Sequence, residues 1–201
     1  MVENLIEWFN LVLLVFSTFV SLFYYIKSVQ PASLEQKIGE VAYEKCEGYR
    51  KLASIGFFLF FVAYVLYLFF PLPLPVPQTL PWDYSISLIA AIAIAIPSFI
   101  LMYLGVKDAG EETLRPKKEH EMYGGIYEKI RHPQSLGEVW VGHIISLVLN
   151  STFLFLFSFL WIPIFYYMSV VEERDLILRF GAPYTEYRER TGMYFPKNNR
   201  E

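Results

Sequence analysis

Residues 5–26, 52–70 and 84–106 of this chain form three apolar runs that hold a single charged side chain between them, Glu7 near the outer end of the first. A helix rises about 1.5 Å per residue, so about 20 apolar residues cover the hydrocarbon core of a bilayer. Each run is long enough for one crossing. A fourth apolar region, residues 136–171, is too long for one crossing and is interrupted at Asn150 and Ser151. It reads as a helical hairpin whose second arm bends near Pro163, where a ring replaces a backbone donor. The expected fold is therefore all-α, a polytopic membrane protein of five transmembrane helices, the last two a hairpin, with interfacial helices on the cytosolic side. Composition agrees: 55% of the 201 residues are hydrophobic and 18% are charged, too apolar for an ordinary soluble surface. The single cysteine, Cys46, excludes an internal disulfide and a four-thiolate zinc site, and a net charge of -3 offers no basic excess for nucleic acid.

All 17 Lys and Arg residues fall in three segments. Lys27 to Lys51 bound the first, Lys107 to Arg131 the second, and Arg174 to Arg200 the tail, while residues 71–83 and the Asn150 turn have none. Short cytosolic loops collect cations. Five crossings put these three segments on one side, so the expected orientation is N-terminus outside and C-terminus cytosolic, in an integral membrane protein. No basic leader precedes Leu5, so the first run is expected to remain as an anchor. The proline-rich loop 71–77 reads as an extended connector, with Trp82 anchored at the interface. Leu34, Ile38, Val41, Ala42 and Tyr49 share one face of an expected interfacial helix. The economical division is one domain, 1–201, comprising a three-span region 1–115 and a second region 116–201 that carries the motif, hairpin and tail.

Polar groups at membrane depth are costly and often functional, which directs attention to the hairpin. Its first arm carries Ser135, Glu138, His143, Ser146 and Asn150 as a broad stripe, and its second carries Tyr166, Ser169, Glu172 and Glu173. No second His or Cys stands at ligand spacing from His143, so no metal is expected, and that histidine reads as an interhelical hydrogen-bonding residue. His132 precedes the turn, and Glu172 follows it, by similar helical lengths. The hairpin should therefore bring Arg131, His132 and Glu172 to one mouth. Pro133 suits the first turn of a helix, whose unpaired backbone N–H groups can receive a carboxylate or phosphate. The plainer reading of the same residues is a set of interfacial charges that fix topology.

Taken together, His120, Gly125, Tyr127, Arg131, His132, Pro133 and Gly137, followed by Glu172-Glu173, Phe180-Gly181, Tyr184, Tyr187 and Pro196, form an ordered pattern over about residues 116 to 197. It resembles the isoprenylcysteine carboxyl methyltransferase and phospholipid methyltransferase superfamily of integral membrane enzymes. The resemblance implies S-adenosylmethionine as methyl donor, contacted on the cytosolic side by His120, Tyr127, His132, Pro133, Gln134, Ser135 and Glu172, with Arg131 and Glu173 as catalytic residues. It also implies a lipophilic or prenylated acceptor drawn from the bilayer; no obligate protein partner and no nucleic acid are expected. Methyl transfer is an in-line displacement that needs positioning more than acid-base power. In that scheme Arg131 and the Pro133 helix start would hold a carboxylate, Glu172 would accept from hydroxyls or an amine, and Tyr127 would offer an aromatic face.

Three departures from the pattern stand out, one of them at a residue pair. Ser135 stands where the family usually has Tyr, Met122 and Tyr123 replace a Leu-Val pair, and Met168 occupies the place of an Arg suited to a prenylcysteine carboxylate. A thioether cannot pair with an anion, so the resemblance leaves the acceptor open among prenylcysteine, phospholipid amine, quinol or another amphiphile. The run Arg131-His132-Pro133-Gln134-Ser135-Leu136-Gly137-Glu138, with Trp140, also resembles membrane sterol reductases that use NADPH. A structural membrane subunit without activity is the third reading.

Overall fold

The computed structural model describes residues 5–72, 74–118 and 124–197. Nine α-helices form among them: α1 (Leu5–Ser28), α2 (Pro31–Ile38), α3 (Val41–Phe69), α4 (Tyr84–Ala109), α5 (Pro133–Glu138), α6 (Val141–Val148), α7 (Thr152–Ser158), α8 (Trp161–Phe180) and α9 (Ala182–Arg190). Short 3-10 turns at Gly110–Thr113 and Gly125–Glu128 complete the order. The described residues contain no strand, only an isolated parallel bridge between Ile130 and Gly192. Four helical segments, Leu5–Ser28, Val41–Phe69, Tyr84–Thr113 and Thr152–Phe180, are long and apolar enough to cross a membrane. Their outward faces expose Phe16, Phe58, Ile89, Ile92 and Phe99, a surface suited to lipid rather than water. The protein is an all-helical membrane protein.

Lipid tails are as apolar as the helices, so helix association relies on close packing of small side chains. The α1–α3 contact shows this where a Cβ added to Gly56 would lie 2.6 Å from Ser21 Oγ. The buried Ser17 and Ser21 hydroxyls turn back onto their own helix, donating to the Leu14 and Ser17 carbonyls. The α4–α5 contact is equally tight. A Cβ on Gly137 would lie 2.5 Å from the Ser98 carbonyl oxygen, and one on Gly105 would lie 3.1 Å from the Gln134 nitrogen. A larger core of Leu14, Phe60, Tyr64, Leu154, Trp161 and Phe165 ties α1 and α3 to the second half of the chain.

Two expected helices differ in the structure. The first arm of the hairpin is two short helices, α5 and α6, with Val139 and Trp140 between them, and neither is long enough to cross alone. The expected interfacial helix over residues 34–49 is broken at Gly39, whose φ of +73° suits glycine and ends α2. Val41 to Lys51 instead extend α3, leaving Ile38 and Val41 exposed and Ala42 buried. The second arm is interrupted between Ser158 and Trp161. Pro163 has no N–H for the Phe159 carbonyl, and the local bonds tighten to Phe159 N–Leu156 O and Leu160 N–Phe157 O.

The cations gather at one end of the bundle. There Asp175 of α8 accepts from the backbone N–H groups of Ala32 and Ser33 at 3.0 and 2.7 Å, holding the start of α2. Arg50 of α3 reaches the Glu112 and Thr113 carbonyls after α4. At the opposite end Thr152 N donates to Gln78 O, and Tyr84 Oη donates to Val148 O. Trp82 there is partly exposed and donates to Ser87 Oγ at 2.8 Å.

Candidate functional site

The motif segment is held from three sides. Gly125 has a φ of +64°, and its close approach to Asp108 lets Ile126 N donate to Asp108 Oδ2 at 2.8 Å. Tyr127 Oη donates to the Gly105 carbonyl and accepts from Gln134 Nε2 at 3.0 Å. On the far side the tail runs beside the motif: Arg131 N donates to Gly192 O at 2.9 Å and His132 N to Met193 O at 3.1 Å. Tyr187 Oη donates to Tyr127 O at 2.6 Å, and Tyr194 Oη to Ser169 Oγ at 2.8 Å. Burial, then the Glu172 charge, holds the Tyr127 phenol well above its ordinary range; burial pushes Tyr187 up to about 12. Both phenols are neutral hydrogen-bond donors, not bases.

Arg131 and His132 meet the paired glutamates of α8. Glu173 accepts from Arg131 Nε at 2.7 Å and lies 3.1 Å from His132 Nε2, while His132 Nδ1 is 3.7 Å from Glu172 Oε2. Arg131 also donates through Nη1 to the carbonyls of Arg188 and Thr191. Arg131 and Glu173 side chains are each 8% exposed. This pair ties the motif to α8, and the same guanidinium ties it to the tail, the geometry of a strut.

A cavity of about 640 Å³ opens beside this cluster. Tyr127, Arg131, His132, Gln134, Ser135 and Glu172 line it; Pro133 is buried behind it and Glu173 lies outside the lining. Pro133 starts α5 as expected, but Gly105 of α4 lies against that helix start, so it is no open cradle for an anion. His120, Met122 and Tyr123 lie outside the described residues. Met168 is not at the cavity either. It is 1% exposed in the main core, so an Arg there would be a buried unpaired charge rather than a carboxylate receptor. His143 packs among Trp140, Phe155 and Phe159. No interhelical hydrogen bond to a described residue reaches its ring, and its nearest polar neighbour is the Val139 carbonyl of its own arm.

The lining residues that the motif did not include come from α1, α3, the turn after α4, α5 and α8: Tyr25, Arg50, Phe57, Glu112, Glu138 and Arg179. Glu138 stood in the polar stripe of the hairpin, whereas Tyr25 and Arg50 bear no sequence relation to the motif. The three guanidinium groups in the lining are all engaged within the protein. Arg50 donates to the Glu112 and Thr113 carbonyls at 2.7 and 2.9 Å, Arg131 to Glu173, and Arg179 to Glu112 Oε1 at 2.6 Å. Two carboxylates are not. Glu138 has no hydrogen bond to any described residue, and Glu172 has only the 3.7 Å approach of His132. The carboxyl groups of Glu138 and Glu172 are thus the acidic groups of the lining left to meet a ligand. The lining also holds Phe57, Phe58, Phe61 and Phe99, and the last three are exposed on the outer surface.

Compared with protein families and with curated proteins, the chain finds no match in either.

Proposed function

We propose that this protein transfers a methyl group from S-adenosylmethionine to a lipophilic acceptor at the cytosolic membrane face. The observation that carries the reading is which polar groups of the cavity are engaged: Glu138 and Glu172 accept no hydrogen bond from a described residue, whereas the guanidinium groups are already held within the protein. A cofactor with a sulfonium and an amine suits that arrangement. NADPH, with its phosphates, calls for unpaired cations and fits it poorly. The volume falls within the ordinary range for ligand sites, and the ordered pattern from Gly125 to Pro196 supports the same assignment.

When bound, S-adenosylmethionine supplies an electrophilic methyl group. In this reading Glu172 accepts from its hydroxyls or amine, and Tyr127, Gln134 and Ser135 form the wall on the motif side. His132 steadies Glu172 through Nδ1 while its other nitrogen faces Glu173. Arg131 and Glu173 position the motif against the tail, and the aromatic slot admits the acceptor's apolar part while excluding water.

The proposed topology has five crossings, with the N-terminus outside and the C-terminus in the cytosol. Val139, Trp140 and Leu149 keep helical backbone angles, so residues 133–149 continue as one bent helical path of about 25 Å from the charged end to the opposite end. The distribution of all 17 cations supports the sidedness. Calorimetric titration of the purified protein with S-adenosylhomocysteine and with NADPH tests the function. Heat from the first and none from the second is expected; NADPH binding without S-adenosylhomocysteine binding would replace this reading by the reductase.

A further inference from the structure

The phenol of Tyr25 has no place in the reading above. Tyr25 stands on the inward face of α1, four residues after Ser21 and three before Ser28, both fully buried. Positions three and four apart share one side of a helix, so this stripe carries the ring toward α3. One turn earlier, the close approach of Gly56 to Ser21 fixes the depth at which it stands. Its ring meets Phe57 of α3 edge to face, with centroids 6.5 Å apart and planes at 82°. Tyr25, Tyr127, Tyr184 and Tyr187 all line the cavity. Tyr127 and Tyr187 donate to the Gly105 and Tyr127 carbonyls, and Tyr184 belongs to the ordered pattern. The Tyr25 hydroxyl makes no hydrogen bond to a described residue. The ionisable groups that act on it are Glu172, Glu138, Arg50 and Tyr127, which puts it at the charged mouth. A tyrosine hydroxyl held away from bulk water ordinarily finds a partner, and here the cavity is where one can come from.

Resting on the methyltransferase reading, we infer that Tyr25 of α1 is a cofactor-binding residue outside the motif: its phenol donates to a ribose hydroxyl that in turn donates to Glu172. The chemistry of the two side chains selects the group that fits between them. Tyr25 has a proton to donate, and Glu172 has only the 3.7 Å approach of His132. An ammonium group can only donate, so it would serve Glu172 and leave the phenol aside. A carbonyl or carboxylate can only accept, so it would serve the phenol and face Glu172 as a second acceptor. A hydroxyl does both through one oxygen. The hydroxyls of S-adenosylmethionine are those of its ribose, which makes the ribose the part that α1 meets. Tyr25 positions the cofactor and takes no part in the transfer itself. It also joins the three-span region to a site whose other ligand-facing polar groups come from the second half of the chain.

The test compares ligands on the same purified full-length protein. Calorimetric titration is run with S-adenosylhomocysteine and with its 2′-deoxy and 3′-deoxy forms, on the unmodified chain and on Tyr25→Phe. The variant keeps the ring that packs on Phe57 and removes only the hydroxyl. Tyr25→Phe should weaken S-adenosylhomocysteine about three- to tenfold, the effect of one neutral hydrogen bond. In the unmodified protein, the deoxy form that lacks the bridging hydroxyl should bind about ten- to a hundredfold more weakly, because it forfeits the contacts to Tyr25 and Glu172 together. With that deoxy form the Tyr25→Phe substitution should cost no further affinity, since the group it acted on is gone. The same loss for all three ligands is what a general loosening of the bundle would give, and it would overturn the inference. Unchanged affinity of Tyr25→Phe for S-adenosylhomocysteine would overturn it as well, and both results leave the methyltransferase reading standing. Failure of the unmodified protein to bind S-adenosylhomocysteine at all would instead remove that reading, and this inference with it.

Discussion

Removing the Glu173 carboxylate separates a strut from a catalytic group. The carboxylate accepts from Arg131 Nε at 2.7 Å and faces His132 Nε2 at 3.1 Å, with both members of the ion pair 8% exposed. Removing one partner of a buried pair costs about 3–5 kcal/mol, because the other charge stays buried. In Glu173→Ala the guanidinium keeps the Arg188 and Thr191 carbonyls as acceptors, which puts the expected loss at about the lower limit of 3 kcal/mol. For a chain of this size about 2–4 °C accompanies each kcal/mol, so the melting temperature should fall by about 6–12 °C. Glu173→Gln keeps an acceptor oxygen and loses the charge, and should fall by about 1 to 1.5 kcal/mol. Tryptophan fluorescence during heating in detergent measures both, and trypsin should cut faster at Arg188 and Arg190 in the alanine variant, because Arg131, no longer fixed by Glu173 of α8, holds the Arg188 and Thr191 carbonyls less firmly. Unchanged melting and unchanged cleavage in Glu173→Ala would refute the strut, and lost methyl transfer at full stability would return Glu173 to a catalytic role.

Glu172→Gln should weaken S-adenosylhomocysteine binding by about one to two decades, the value of one hydrogen bond to a charged group, measured by calorimetry. His143→Asn should lower the melting temperature and leave that affinity unchanged, since its ring is enclosed by Trp140, Phe155 and Phe159 away from the cavity. Gly137→Ala should destabilise by about 1–3 kcal/mol, because its Cβ would meet the Ser98 backbone oxygen. Gly48→Ala, in α3 with open space around the new methyl, should stabilise by up to about 1 kcal/mol; thermal melting of the two variants side by side checks both signs. In a Cys46→Ser background, a reporter cysteine at Gln78 should react with an impermeant reagent in intact cells and one at Glu186 only after lysis. The reverse labelling would refute the orientation.

The long helices were legible because lipid imposes one requirement on many consecutive residues, and residues 5–26, 52–70 and 84–106 satisfy it without reference to anything distant. The meeting of His132 with Glu172 was legible for a similar reason: helical stretches of similar length on either side of the Asn150 turn return to a similar depth, because the rise per residue is constant. The break between α5 and α6 was not, since apolarity says nothing of where a helix must bend to lay Gly137 against Ser98. The same holds for Gly39, where one positive φ divides an amphipathic pattern that runs on through the sequence. Met168 was legible as a departure from the motif, but its burial at 1% exposure in the main core comes from packing that its place before the glutamates does not reveal. Which partner each guanidinium takes was not legible. Arg50 engages carbonyls 62 and 63 residues away, and Arg131 engages a glutamate 42 residues on. A count of Lys and Arg therefore records how many cations the chain has, whereas only their packing decides which remain unpaired to meet a ligand.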